Sequence, residues 1–330
     1  MLTMADMAQL GTLTPFQKVV LYSMLSHSQL FDVLPFDDTG DLNVMVMEAT
    51  GLPTPDHRAI NPTTVNVARA QFGQRPEALK IISNRITVDR QQLNNRSQHV
   101  DPRTAAIEQY TKSLAYQIVD MFINGNPVLN PDQPGGLAYR FLTDTRLSNG
   151  TPNPATQLQV IDANDINRDF TVAAERQDFI NDVHELISLI DGGNPDVLIT
   201  NRQGWLRFGQ ATRGERMFTT SKDMFGRNVM RFGDDGPIII DSGYPPSAVF
   251  TRATLVQPFV TAAGDDLVSN SIYAVKFGTT QTGALQKMPP ETIEFAENSA
   301  DFPLVVAAYE WVYGFHITNP FSVALMRRGF

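Results

Sequence analysis

DPRTAAIEQYTKSLAYQIVDMFINGNP, residues 101–127, is the stretch from which this chain is best understood. Asp101 offers a carboxylate to the backbone N–H groups left over at a helix start, and Pro102 fixes helical φ at the first position. Ile107, Tyr110, Leu114, Ile118, Met121 and Phe122 then recur in steps of three and four, which builds one apolar stripe. Asn124-Gly125-Asn126-Pro127 stops the helix, with Gly125 as its C-terminal cap. A helix over 101–123 spans about 33 Å at about 1.5 Å per residue, enough to cross a small domain as a spine. Because the stripe lies on one side only, another part of the chain must cover it.

Composition narrows what that chain can do. Its 330 residues leave room for about two domains and a sizeable core. Lys plus Arg number 26 against 35 Asp plus Glu, a net charge of −9. Phosphate binding needs clustered cations, so tight binding to DNA or to anionic membrane is not expected, whereas a place beside packed nucleic acid is compatible. There are no cysteines, which removes disulfides, thiolate metal sites and cysteine nucleophiles together. The first ten residues carry Asp6 and no Lys or Arg, unlike a secretory signal, and no apolar run reaches membrane-spanning length. A soluble intracellular product with no membrane partner is expected.

Before the spine, Thr14-Pro15-Phe16-Gln17 is a capping box that predicts a short helix to about His27. Residues 30–36 are apolar and broken by Pro35; they suit either an arm that leans on something else or a local helix packed on its own domain. Strand composition follows at 42–48 and 79–88. Between them, residues 50–76 are rich in Pro, Asn, Thr and Gln and poor in large apolar groups. Strands flanking so core-poor an excursion suggest an extended hairpin that cannot bury itself and needs another subunit; a plain surface loop is the alternative.

After the spine come Pro/Gly-rich loops at 126–136 and 149–157, then a second amphipathic helix over 172–190 ended by Asp191-Gly192-Gly193-Asn194-Pro195. This second helix and the last strand are the candidate covers for the spine. Residues 197–200 form a buried strand, and Asn201 is placed to cap a short helix carrying Trp205, Leu206 and Phe208. Strands are expected at 227–232, 237–241, 271–277, 291–295 and 303–324. Helices early and strands late give an α+β layout.

No constellation carries chemistry. The five histidines, His27, His57, His99, His184 and His316, lack metal-ligand spacing. Nucleophile elbow, Walker loop and dinucleotide fingerprint are all missing, and Gly192-Gly193 follows a helix, the wrong context for phosphate. Asp37-Asp38, Asp234-Asp235 and Asp265-Asp266 have the look of solvated turns. Neither catalysis nor a cofactor nor a metal is expected.

Short motifs in order supply a positive reading. They are Ile86-Thr87-Val88-Asp89-Arg90 before the spine, Asn124-Gly125 with Gly136-Leu137 after it, and the run from Asn194 through Val197 to Arg202. Phe225-Gly226 with Gly236-Pro237-Ile238-Ile239 and the run from Ser271 to Gly278 come next, then Glu310-Trp311-Val312-Tyr313-Gly314 and Asn319-Pro320. Together they resemble major capsid proteins of tailed bacteriophages with the Hong Kong 97 capsid fold, over about residue 28 to the end. The resemblance implies an N-arm (1–36), an E-loop hairpin with flanking strands (37–90), and a P-domain holding the spine and second helix (91–195). It further implies an A-domain (196–300) and a C-terminal P-domain strand (301–330) containing Trp311, Tyr313, Gly314, Asn319 and Pro320. Pro53, Pro55, Pro62, Phe72 and Pro76 would make intersubunit contacts from the E-loop. Implied partners are further copies in hexamers and pentamers, portal, scaffolding and decoration proteins, and packaged double-stranded DNA held by proximity. An encapsulin-like compartment, which shares the fold, is the alternative, and an unrelated soluble α+β enzyme or binding protein is the second. A crosslink between Lys80 and Asn319, as some members form between lysine and asparagine, has no motif behind it.

Overall fold

Val197-Leu198-Ile199-Thr200, Ile272-Tyr273-Ala274-Val275 and Val323-Ala324-Leu325-Met326 are unbroken runs of uncharged, mostly apolar residues, and such runs suit strands buried on both faces. A computed structural model bears this out. It describes residues 2–9, 15–51, 57, 60, 71–94, 101–143, 159–162, 168–212, 218–222, 225–233, 236–241, 271–287, 291–297 and 304–327. In chain order the first elements are β1 (Leu2–Thr3), α1 (Met4–Gln9), α2 (Pro15–His27), α3 (Leu30–Val33), β2 (Pro35–Asp38), β3 (Asn43–Gly51), β4 (Gln71–Ala78) and β5 (Lys80–Asp89). There follow α4 (Arg90–Asn94), the spine α5 (Pro102–Asn124), α6 (Leu137–Thr143), β6 (Val160–Asp162), α7 (Ala173–Ser188), β7 (Val197–Thr200) and α8 (Arg202–Thr212). The remainder is β8 (Phe218–Lys222), β9 (Asn228–Phe232), β10 (Ile238–Asp241), β11 (Ile272–Val275), β12 (Thr282–Gln286), β13 (Glu291–Glu297), β14 (Leu304–Ile317) and β15 (Val323–Arg327).

A seven-stranded sheet, ordered β6-β15-β11-β7-β10-β9-β8, is the wall between two cores. Val197, Ile199, Tyr273, Val275, Val323 and Leu325 face the larger core, while Leu198, Ile272, Ala274, Ala324 and Met326 face the smaller one with α7 and α8. That alternation is the period of two of a strand, here with both faces apolar. In a six-stranded sheet, β14 pairs with β12 and β13 and, separately, with β5. Asn201 caps α8 as expected, its Oδ1 accepting from Gly204 N–H at 2.8 Å.

The spine begins and ends where predicted. Asp101 Oδ1 accepts from Arg103 N–H at 3.0 Å, with Pro102 in the first turn. Leu114, Ile118 and Phe122 are buried, joined by Thr111, Ala115, Val119 and Ile123, whereas Ile107, Tyr110 and Met121 are only half-buried. The buried face is broader than a single stripe because the second half of the helix lies within the larger core, with α2 and α6 packed on it and Phe315 of β14 against Phe122. Gly125 has φ −51°, so it is not a left-handed cap. A side chain there would bring its Cβ to 2.3 Å from Pro134 O and 2.5 Å from Met121 O, and this close backbone approach is what requires glycine.

Several expectations need correction. The second helix does not cover the spine: Phe179, Ile180, Val183 and Leu186 of α7 belong to the smaller core. The cover is the N-terminal segment together with Trp311, Tyr313 and Phe315 of β14 and the inner face of the seven-stranded sheet. The segment implied to be an arm is core: Met4, Met7, Val20, Leu21, Met24, Leu25, Leu30, Phe31 and Leu34 are buried in the same cluster as the spine. Its helices find their apolar partner within the chain, as the local-packing reading had it. The strand predicted over 303–324 is two strands in different sheets, since β14 joins the six-stranded sheet and β15 the seven-stranded one. Asn319 and Pro320 form the corner between them rather than part of a strand. Asn319 Oδ1 accepts from Phe321 N–H at 3.0 Å, and proline has no N–H for a central ladder. Likewise β12 and β13, within the stretch assigned to an A-domain, pair with β14 in the other sheet. Asp37-Asp38 lies in β2, not in a turn.

Candidate interaction surface

Outside both large sheets stands the hairpin of β3 and β4, which among the described residues pair only with each other. Its register sets Met45 opposite Pro76, Met47 opposite Gln74 and Ala49 opposite Phe72. One face therefore carries Met45, Met47, Phe72 and Pro76; the first three are 62%, 56% and 61% exposed, and Pro76 is exposed too. An isolated two-stranded hairpin is marginal in water, and the apolar row on its outer face makes it a candidate contact surface. Pro76 is tolerated because β4 has an unpaired edge. Phe72 and Pro76 were expected on this surface; Pro53, Pro55 and Pro62 lie outside the described residues.

The loop after the spine presents a second apolar tip, Val128 and Leu129, 74% and 83% exposed. Asn126 Oδ1 accepts from both of their N–H groups, at 3.0 and 3.3 Å, which fixes the shape of the tip. Lys80 Nζ donates to Pro131 O at 2.6 Å and ties this loop to the hairpin's root.

At the root, Leu79 N–H donates to Leu42 O at 2.8 Å. Behind it lies Arg140 of α6, only 2% exposed. Its Nη1 and Nη2 donate to the two carboxylate oxygens of Glu77 at 2.7 and 3.0 Å, Nη2 also to Phe315 O at 2.7 Å, and Nε to Gly135 O at 3.1 Å. A buried guanidinium is stable only when so fully engaged. The sequence reading missed this residue. Its signal was a single cation within the apolar run Leu137-Ala138-Tyr139-Arg140-Phe141-Leu142.

No protein-family profile matches the chain, and no curated protein resembles it in sequence. Similarity appears at the level of structure. The capsid of a native GTA particle superposes with a TM-score of 0.60 at 14% identity, covering 92% of this chain and 90% of that one. The SrpI encapsulin of Synechococcus elongatus PCC 7942 gives 0.57 at 13%, covering 97% and 89%. A chain of Mycobacterium phage Adephagia gives 0.54 at 14%, covering 91% and 89%. The chain has the Hong Kong 97 capsid fold.

Within this Hong Kong 97 fold the remaining singled-out residues are structural. Trp311 is buried, stacked between Phe36 and Tyr313 with ring centroids 5.5 and 5.4 Å away, and its Nε1 donates to Gln286 Oε1 at 3.3 Å. Gly314 lies where a Cβ would come 3.5 Å from Leu79, an ordinary contact. Lys80 and Asn319 are engaged elsewhere: Asn319 Nδ2 donates to Asp191 Oδ2 and Gln281 Oε1, both at 3.2 Å. Gly192 and Gly193, at φ +78° and +61°, end the chain's passage from α7, conformations that favour glycine. Among the described residues no group of three acidic or histidine side chains could hold a metal ion.

His316, beside the Arg140 cluster, is buried with Nδ1 3.1 Å from Thr318 Oγ1 and Nε2 unpartnered. Burial, and next the Arg140 charge, lower its pKa from 6.5 to about 4, against the opposite pull of Asp37 and Glu77. The unfolded chain thus binds the extra proton first as pH falls. Stability is present in full above about pH 6.5 and should fall by about 3 kcal/mol on acidification to about pH 4. Denaturant midpoints across that window should show the slope in wild type and a flatter one in His316→Gln; equal slopes would remove His316 as the cause.

Proposed function

We propose that this chain is the major capsid protein of a tailed double-stranded DNA bacteriophage, self-assembling through hexamers and pentamers into an icosahedral head shell. The observation that carries the reading is the hairpin of a Hong Kong 97 fold with its apolar row of Met45, Met47 and Phe72 in water. Such a row gains burial only against a neighbour, and a closed shell multiplies many modest contacts. The net charge of −9 suits a wall that encloses DNA without gripping it. On this reading the hairpin is the E-loop, the spine belongs to the P-domain, and portal and scaffolding proteins are the assembly partners. Assembly would take place in the cytoplasm of a bacterial host, with the virion as destination.

Electron microscopy of the purified protein is expected to show uniform polyhedral shells. A monomer or dimer that persists under all conditions in size-exclusion chromatography would count decisively against a shell protein. A second reading, an encapsulin-like compartment, draws on the encapsulin match over 97% of this chain. Particles from the native host separate the two, because nuclease-protected DNA inside them supports the phage head and an enclosed enzyme supports the compartment.

A further inference from the structure

We infer that Arg140 is a positioning residue for assembly: it latches the hairpin to the body and sets the angle at which the apolar row is presented. This rests on the shell-forming reading above. Among the described residues the hairpin shares no ladder with either large sheet, so strand pairing with them does not fix its direction. Beside the chain's own passage through buried Leu79 into β5, polar ties cross from it to the body at its root. Arg140 makes the central one, joining Glu77 of β4 to Phe315 O of β14 and to Gly135 O just before α6. Lys80 to Pro131 O is a flanking strut.

Three properties suit a latch. The bidentate fork fixes orientation as well as distance, which a lysine's point charge does not. The side chains are nearly dry, Arg140 at 3% and Glu77 at 14% exposure, so solvent screens the pair little. Glu77 also meets Arg75 Nε at 3.4 Å within the same strand, which offers the carboxylate another cation when Arg140 lets go. When the hairpin leaves, Glu77 keeps a cation beside it, whereas Arg140 loses its carboxylate in a nearly dry site, and that cost holds the latch shut. A shell whose subunits must first meet and then lock gains from an arm that has one favoured angle, since fewer orientations are lost on contact.

The test uses the full chain with Arg140→Lys and Glu77→Gln, each retaining polarity and bulk, and the two combined. Hydrogen exchange on dissociated chains should speed up at least about tenfold over 43–49 and 71–78 in every variant, with the spine over 114–123 unchanged. The combined variant should resemble either single one, as expected for partners in one contact. Electron microscopy of the same variants should show few or misshapen shells. Unchanged hairpin exchange, or equal acceleration in the spine, would overturn the latch, the second outcome marking Arg140 as a general core residue. Loosened hairpins that still build wild-type shells would overturn its role in assembly. If wild type itself builds no shell while the hairpin loosens, the shell-forming reading fails and the latch contact stands.

Discussion

Phe122→Ala should lower the unfolding free energy by about 3–5 kcal/mol, the largest single-residue loss expected in the molecule. Phe122 is 1% exposed, in the half of the spine that lies within the larger core. Its ring meets Phe315 edge-on at 5.0 Å between centroids and lies 6.4 Å from Phe277. Removing it leaves a cavity walled by β14 on one side and by the spine itself on the other, and neither can move in to fill it. Leu114 provides the contrast. It borders a groove of about 260 Å³ shared with Ile82, Ile86, Ile107 and Tyr309, so truncation there enlarges an existing opening instead of creating a closed void. Leu114→Ala should fall at the lower end of the range for such changes, about 2 kcal/mol. Equilibrium denaturation of both variants checks the order, and a Phe122→Ala loss below about 1 kcal/mol would refute the spine's place at the centre of the core.

The second large effect concerns assembly. Replacing Met45, Met47 and Phe72 together by serine should leave the monomer's stability within about 0.5 kcal/mol per site, because these side chains already stand mostly in water. Shell formation should nevertheless be lost. Fully burying a side chain of this size contributes about 1.5–3 kcal/mol, and each subunit forfeits several such contributions at every hairpin contact. Light scattering at matched concentrations, followed by electron microscopy, reads the outcome. Normal shells from the triple variant would place the contact surface elsewhere.

Much of the fold was legible because it rests on local rules. Asp101 and Pro102 announced the start of the spine, and the runs at 197–200 and 271–277 announced strands, the first of them buried. The hairpin was legible in part. Its poverty in core residues was visible, but the strand Gln71–Ala78 was hidden by Pro76 and by alternating polar residues that have no core to face. The latch was not legible at all. Arg140 and Glu77 are far apart in the chain, and nothing near either one shows that their side chains meet.

The N-terminal segment shows why such limits arise. An apolar helix has the same sequence whether its partner lies in its own chain or in a neighbour's; only the tertiary structure shows Leu21, Met24 and Phe31 buried beside the spine. The break at Asn319-Pro320 is written in the residues, yet the departure of Val323–Arg327 to a different sheet is a matter of which strand edges remain open once the rest has folded. By itself the sequence determined the α+β class, the spine with its caps, the short apolar strands and the want of core in the hairpin, because periodicity and capping act between residues a few positions apart. Which elements cover the spine, which sheet receives the last strand and what holds the hairpin were decided by tertiary structure alone, because those are pairings between distant segments that compete for the same apolar surface.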